Sequence, residues 1–460
     1  MNGQTSTPRR FILALATFIA SVLAAISLGV APAVGAIWDD EAEPSHVLIV
    51  TGDAGGPDST FDAVIGHGVT YVVGAGTYTG AGLDATLTRI SHTTWTAATT
   101  HYDSVSHGDD FAAAVALGRD GAIYTAGSST NGGKADMLVI KWSRSGCIVW
   151  SRRYNGPAKG DDFAADIAVD GDGNVVVCGP SKGANGTDWA VVSWTSKGVR
   201  RWLWRWDGSG KADDAAADLL LDAKGRVYIC GFVTVGGPKT AAAVVKLGAD
   251  GATLWKRTYT GPLGIGAWVN AVAADPRGGV LAAGYAEAGT TGRDGMIVRY
   301  SPSGARIVFP LLSQSSDAGP DTFVDLAVTT TRRVVAVGSS SAPGSPADPL
   351  TAEYTLDGAS PTWLMSVSTE DDRWVAVAAD ALGGYVATGA VGDNGTTMYT
   401  RRFTTVSGGM GWLSRWAGPV QPAYDQGTVV ATRAGMVVAA GTVYSGAATG
   451  WDQAVLVWLY

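Results

Sequence analysis

The sequence predicts an all-β ring of eight four-stranded blades, a β-propeller, and two observations predict it. A run of β-branched or small apolar residues ends in Gly at Gly74, Gly127, Gly179, Gly231, Gly284, Gly338, Gly389 and Gly441, at spacings of 53, 52, 52, 53, 54, 51 and 52 residues. Each interval also holds four short strand-like runs separated by turn residues, with no helical periodicity between them. A four-stranded sheet at this period cannot bury both faces alone, so eight copies stack radially around a channel.

The third copy, from Phe163 to Asp214, shows how one blade is encoded. FAADIAV is a small-residue strand, and DGDG carries the Asp and Gly of a tight turn. NVVVCG is a β-branched strand, followed by the Gly-rich loop PSKGANGT. DWAVVSW alternates polar and apolar residues, SKG turns the chain, and VRRWLWRW closes the blade. The second and fourth copies read the same way. The last copy, from Gly427, has three strands before the chain stops at Tyr460. The segment from Ser45 (SHVLIVTGDAGGPDS) resembles the fourth-strand stretch from Val149 (VWSRRYNGPAKGDD). The N-terminal strand is therefore expected to complete the last blade and remove two open sheet edges.

The chain is 46% hydrophobic with 63 Gly, which suits a turn-rich all-β domain. No linker interrupts the period, so residues 37–460 read as one domain and as a monomer. A net charge of −8 with no basic stripe argues against a nucleic-acid partner. At the N-terminus, Arg9 and Arg10 precede an apolar run from Phe11 to Val30 and the small-residue stretch ending at Ala36. Residues 1–36 read as a signal peptide or, through residues 11–30, as an uncleaved membrane anchor. Either reading puts the propeller outside the cytoplasm, secreted or on the outer face of the membrane. Cys178 and Cys230 hold one repeat position and are too far apart for a relaxed disulfide; both read as buried free thiols, with Cys147 structural as well.

Repetition separates structural from functional candidates. Asp84, Asp136, Asp188, Asp294, Asp348 and Asp452 open the third strand and read as turn-fixing residues. Trp95, Trp150, Trp202, Trp255, Trp363 and Trp412 open the fourth strand, with Phe309 in the fifth copy, and read as wedges between blades. Acidic residues end the loops between blades: the pairs Asp109–Asp110, Asp161–Asp162, Asp213–Asp214 and Asp371–Asp372, and the less regular Asp321. Phe111, Phe163, Trp268, Phe323 and Trp374 follow them. These loops gather at the channel mouth, where carboxylates beside aromatic faces can hold a sugar or a cation, or simply cap loops and pack blades. The five His (His46, His67, His92, His101, His107) are confined to the first blade and the closing strand, in turns expected to point to different faces, and are not read as a metal site. No Ser/His/Asp arrangement, phosphate loop or paired blade-unique carboxylate stands out, so no catalytic residue, metal or cofactor is expected.

GDDFAADIAVDGDGNVVVCG, from Gly160, resembles the bacterial SBBP-type β-propeller repeat, and GKADMLVIKWSRSG, from Gly133, matches its second half. The resemblance spans nearly all of residues 44–460. It implies the propeller fold and a secreted or cell-surface setting. DGATLWKRTYTG, from Asp250, is similar to the Trp-docking repeat of quinoprotein dehydrogenases, which bind pyrroloquinoline quinone and Ca²⁺ under a Cys-Cys pair; this chain has no Cys-Cys. The expected function is non-catalytic binding of a polysaccharide or an extracellular protein at the channel face. The alternatives are a glycan-cleaving or quinone-dependent enzyme, or a purely structural envelope protein.

Overall fold

The computed structural model describes residues 42–460 apart from 52–57, 79–81, 290–291, 309–318, 342–346, 357–362, 366–371, 392–396, 405–409, 419–424 and 447–449. The signal or anchor segment lies outside these residues. The described chain forms eight antiparallel four-stranded sheets. The inner strands are Ser59–Ile65, Asp110–Leu117, Asp166–Val169, Ala215–Leu221, Ala267–Ala274, Asp321–Val328, Arg373–Ala379 and Gln426–Arg433, for blades one to eight. Within blades one to seven the strands pair in chain order from the inside out. Among the described residues, no helix is long and apolar enough to cross a membrane.

The ring closes as expected. Blade eight takes Gln426–Arg433, Met436–Gly446 and Gly450–Leu459 from the C-terminus and His46–Val50 from the N-terminus as its outermost strand. The register runs from His46 opposite Val457 to Val50 opposite Gln453. Upstream, Ala42 N–H donates to Leu413 O, and Trp458 Nε1–H donates to Ala42 O. The first described residues thus reach from blade eight to blade seven.

The repeating Gly answers a β-bulge. In seven blades the pairing of inner and second strand slips by one residue, for example between Ala112 and Ala114 opposite Gly127. The slip brings an inner-strand carbonyl against the Gly Cα: Phe111 O at Gly127, Trp268 O at Gly284, Thr322 O at Gly338. A Cβ at any of these positions would overlap that oxygen. The marker that defines the repeat is therefore a close-approach requirement.

The core lies between blades. Tyr124, Met137 and Trp150 of blade two pack on Ile167, Val175 and Trp194 of blade three in one buried cluster, and other blade boundaries repeat the pattern. Three of the fourth-strand Trp residues dock as wedges. Trp150, Trp202 and Trp255 donate Nε1–H to Ser196 O, Ala249 O and Pro302 O at 3.0–3.1 Å, each in the last turn of the next blade. Each indole packs on the Gly of that turn, Gly198, Gly251 or Gly304. These glycines have φ of +76°, +82° and +81°, so the turn needs Gly twice over.

Trp95 departs from this set. It sits in the turn before Ala97–Tyr102 with φ +53° and stacks on His46 of blade eight at 3.9 Å. In the first blade the turn after Ser91 is one residue longer, Ser91 O accepts Trp95 N–H, and the ring seals the closure instead of the next blade. The cysteines are free; Cys178 and Cys230 are buried and Cys147 is exposed.

Candidate ligand-binding face

The loops from each outermost strand to the next inner strand form one face of the ring, and paired acids build them. The second acid is a buried clamp. Asp162 accepts N–H from Gly156 and Lys182, Asp214 from Gly208 and Thr234, and Asp425 from Gly418 and Tyr444. Asp110 accepts from Ser104 N–H and the Ser129 hydroxyl. The first acid reaches back to the preceding blade: Asp109, Asp161 and Asp213 accept the N–H of Leu83, Ala135 and Thr187, each at the start of a third strand. Asp321 and Asp372 are buried at the same point of blades six and seven, while Asp371 lies outside the described residues. Burial pushes Asp110 up to about 6 and Asp214 up to about 7 despite these donors.

The aromatic residues divide into two sets. Phe111, Phe163 and Trp268 lie two residues before the bulge and are half-buried. Trp268 is fixed by stacking on Phe232 at 3.8 Å and by donating to Thr240 Oγ1 at 2.8 Å. Phe323 and Trp374 lie one residue further on, opposite Gly338 and Gly389, and are buried against the preceding blade. The one-residue shift turns a side chain to the other face of the strand.

Phe61 completes the half-buried set, and the repeat pattern of the sequence does not single it out. It occupies the bulge of blade one, and its preceding loop lacks the acidic pair. Phe61, Phe111 and Phe163, from three consecutive blades, line a shallow, open apolar hollow with Ala113, Gly127, Ser128 and Ala164. Phe61 and Phe111 meet edge to face at 6.4 Å.

Beside the hollow, on the channel wall, stand carboxylates that only some blades carry: Asp62, Asp166, Asp218 and Asp325. Each follows its bulge, or begins the inner strand, and accepts an N–H from the next inner strand: Val115, Leu219, Val272 and Val377, at 2.7–3.0 Å. Asn270 makes the corresponding link between blades five and six, donating Nδ2–H to Phe323 O at 2.8 Å. Enclosure by the ring raises all four carboxyls, Asp62 to about 7 and Asp325 to about 6; proximity of the other carboxylates adds to the rise at Asp62 and Asp218. Aligning the inner strands by the marker Gly finds these residues, because the other blades have Ala or Val there.

Asp166 and Asp218 are hydrogen-bonded side chain to side chain. Glycosidic catalysis needs roughly 5–9.5 Å between two carboxyls to admit the sugar. A pair in direct contact, each member also holding a main-chain N–H, is a blade clamp.

On the outer part of this face the third-strand Asp joins the loop acids. Asp84, Asp103 and Asp110 bring carboxylate oxygens within 4.8 Å of one another, and so do Asp188, Asp207 and Asp214. His101 contacts Asp84, and His107 contacts Asp103, each through Nδ1 at 2.6 Å. Two histidines expected on different faces therefore belong to one cluster. His92 bonds Thr70, and His67 lies against Arg433.

No protein-family model matches the sequence, and comparison with curated proteins finds no relative. Among solved structures, Sqt1 from Chaetomium thermophilum superposes with a TM-score of 0.56 at 11% identity, covering 90% of this chain and 100% of that one. Sqt1 bound to the N-terminus of the ribosomal protein L10 gives 0.55 at 11%, covering 88% and 98%. The quinohemoprotein alcohol dehydrogenase ADHIIG from Pseudomonas putida HK5 gives 0.49 at 9%, covering 90% and 75%. At 11% identity the likeness to Sqt1 is one of architecture alone. The eight four-stranded sheets make the chain an eight-bladed β-propeller.

Proposed function

We propose that the chain is a non-catalytic binding propeller of the cell exterior, an SBBP-type repeat protein, that holds a protein partner at the channel mouth. The observation that carries this reading is the hollow of Phe61, Phe111 and Phe163. It is shallow, open and apolar, and an apolar side chain seated on such a rigid surface is how a partner anchors. The neighbouring acids support the same reading, since Asp109, Asp161 and Asp213 remain partly solvent-exposed while their backbone bonds fix them. They would favour a segment with basic residues flanking the apolar anchor. Sqt1, of the same architecture, is bound to a protein N-terminus in its solved complex. The SBBP resemblance and the N-terminal apolar segment support an exterior location.

The test is selection of a displayed peptide library on the full chain, with a panel of soluble polysaccharides in parallel. Peptides with an apolar anchor should bind, and Phe111→Ala with Phe163→Ala should abolish binding without changing the far-UV spectrum. Binding that survives both substitutions removes the hollow from the reading. A polysaccharide hit alone would move the ligand class to glycans, and binding of pyrroloquinoline quinone would move it to an enzyme.

A further inference from the structure

The outer rim carries a charge that the chain as a whole does not. The outermost strands of blades two, three and four, Ile148–Tyr154, Arg200–Trp206 and Thr253–Tyr259, read IVWSRRY, RRWLWRW and TLWKRTY. Each carries lysine or arginine and none carries a carboxylate, although the net charge of the chain is −8. The blade itself does not require these cations: the outermost strands of blades one and eight, AATTHY and HVLIV, have no lysine or arginine. No run of the sequence gathers them, because the three strands recur 52 or 53 residues apart, as Trp150, Trp202 and Trp255 do. Stacking of the blades sets them side by side.

Most of this charge is left for solvent. Arg205 pairs with Asp188 at 2.8 Å, and Arg201 lies 3.9 Å from Asp170. Arg152, Arg153, Arg200, Lys256 and Arg257 form no ion pair among the described residues. Main chain and rings fix several of them instead. Arg152 Nε–H donates to Gly198 O and Arg257 Nε–H to Gly304 O, both at 2.6 Å. Each guanidinium lies 5.6 Å from the ring centre of its own strand's Trp, Trp150 or Trp255. Lys256 Nζ stands 4.6 Å over Trp206 of blade three. Where blades two and four have Arg152 and Arg257, blade three has Trp204, half-buried at the seam with blade four and held by its Nε1–H on Thr253 Oγ1 at 2.9 Å. The cations are thus ordered before any ligand arrives, so binding costs little side-chain freedom.

A row of unneutralised cations strung over three blades suits a polymer with an acid group on successive units, not a single small anion. An indole among them offers the flat apolar face on which the C–H side of a sugar ring packs. Trp204 is tied to blade four by its own N–H, so it serves a ligand that comes to the ring and not a bilayer into which the ring would insert. We propose that this rim binds an acidic polysaccharide, with the acid groups on Arg152, Arg200, Lys256 and Arg257 and a sugar face on Trp204. The choice among polyanions rests on the exterior location proposed above. The rim lies on the outermost strands and is separate from the Phe61 hollow on the inner ones.

The test is titration of the full chain with alginate, a polyuronate, at low ionic strength, with neutral dextran, duplex DNA and phosphatidylglycerol vesicles in parallel. Alginate should bind and dextran should not, and salt at about 0.5 M should remove the binding. Arg200→Glu with Lys256→Glu, both at exposed positions, should weaken alginate binding by about tenfold or more while the far-UV spectrum is kept. Trp204→Ala should weaken it by about fivefold and leave its salt dependence as it was. Phe111→Ala with Phe163→Ala should leave alginate binding intact, so a failed hollow and a failed rim give different results. No binding of alginate, binding indifferent to the charge reversals or to Trp204→Ala, or tighter binding of DNA or of the vesicles overturns the proposal.

Discussion

Asp166 on the inner strand of blade three and Asp218 on that of blade four hydrogen-bond to each other while each holds the main-chain N–H of the blade beyond, Leu219 or Val272. The bond needs a proton, so the ring retains protons that the unfolded chain releases. With folded values raised to about 7 at Asp62 and Asp214 and about 6 at Asp110 and Asp325, the folded state binds more protons between pH 4 and 7. Their contribution is full below about pH 3.8 and is lost as pH rises through 6 to 7. The unfolding midpoint at constant ionic strength should fall by a few degrees from pH 5 to pH 8. Asp218→Asn keeps a hydrogen-bonding side chain without a titrating proton and should flatten that slope. A midpoint higher at pH 8 than at pH 5 would contradict the account.

Gly179 faces Phe163 O across the inner-strand irregularity, with Ala165 N also close. Gly179→Ala should cost about 2 kcal/mol or more in urea unfolding, because the second strand must retreat from a fixed carbonyl. Gly132 supplies the contrast: its φ is +61°, and a methyl group there would meet open space. Gly132→Ala should cost only the left-handed backbone penalty, about 1 kcal/mol. Equal costs at the two sites would remove the close-approach explanation of the repeat.

Much of the ring was legible because the demands that build it recur eight times. Gly opposite a bulge, Asp in the loop and Trp in the fourth strand each meet the same backbone geometry in successive blades, and each leaves a periodic mark. The ligand face was legible in part. Phe111, Phe163 and Trp268 stay half-exposed, but a one-residue offset buries Phe323 and Trp374 against the preceding blade, and only the strand register reveals it. Phe61 was hidden because its loop lacks the acidic pair that marks the others. The axial carboxylates were hidden for the opposite reason: the repeat pattern averages them away, although their presence on only some blades is the signal of a non-repeating role. The meeting of His101 and His107 depends on side-chain reach from two different segments, which spacing alone does not give.

Trp202 tests the wedge. Its indole Nε1–H donates to Ala249 O at 3.0 Å and its ring covers Gly251 of the next blade. Trp202→Phe keeps much of the ring but leaves Ala249 O without this donor, and should cost about 1 kcal/mol. Trp202→Ala also removes the packing and should cost about 3 kcal/mol or more. If the two variants unfold at the same denaturant concentration, the hydrogen bond and not the packing carries the contact.

Cys147 is exposed in the turn before Ile148–Tyr154, while Cys178 and Cys230 are buried one residue before their marker glycines. Burial raises both buried thiols well above the ordinary range, away from the reactive thiolate. A thiol reagent at pH 8 should therefore label one cysteine in the folded chain and three in denaturant, read by intact mass. Labelling of Cys178 or Cys230 without denaturant would show that the inner blades open locally.

Ring closure rests on one five-residue strand, His46–Val50, paired along Val457–Gln453. Leu48 packs against the cluster containing Val438, Val455 and Val457, and His46 stacks on Trp95 of blade one. Removing residues 1–51 would take away both contacts and leave Gly450–Leu459 as an unpaired edge beside the blade-one junction. Open, apolar edges recruit other strands. The truncated chain should unfold at a lower temperature and sediment as associated species, and a synthetic peptide covering Ala42–Thr51 should restore the monomer when added in excess. A truncated chain that stays monomeric with an unchanged midpoint would show that blade-to-blade packing closes the ring without the strand.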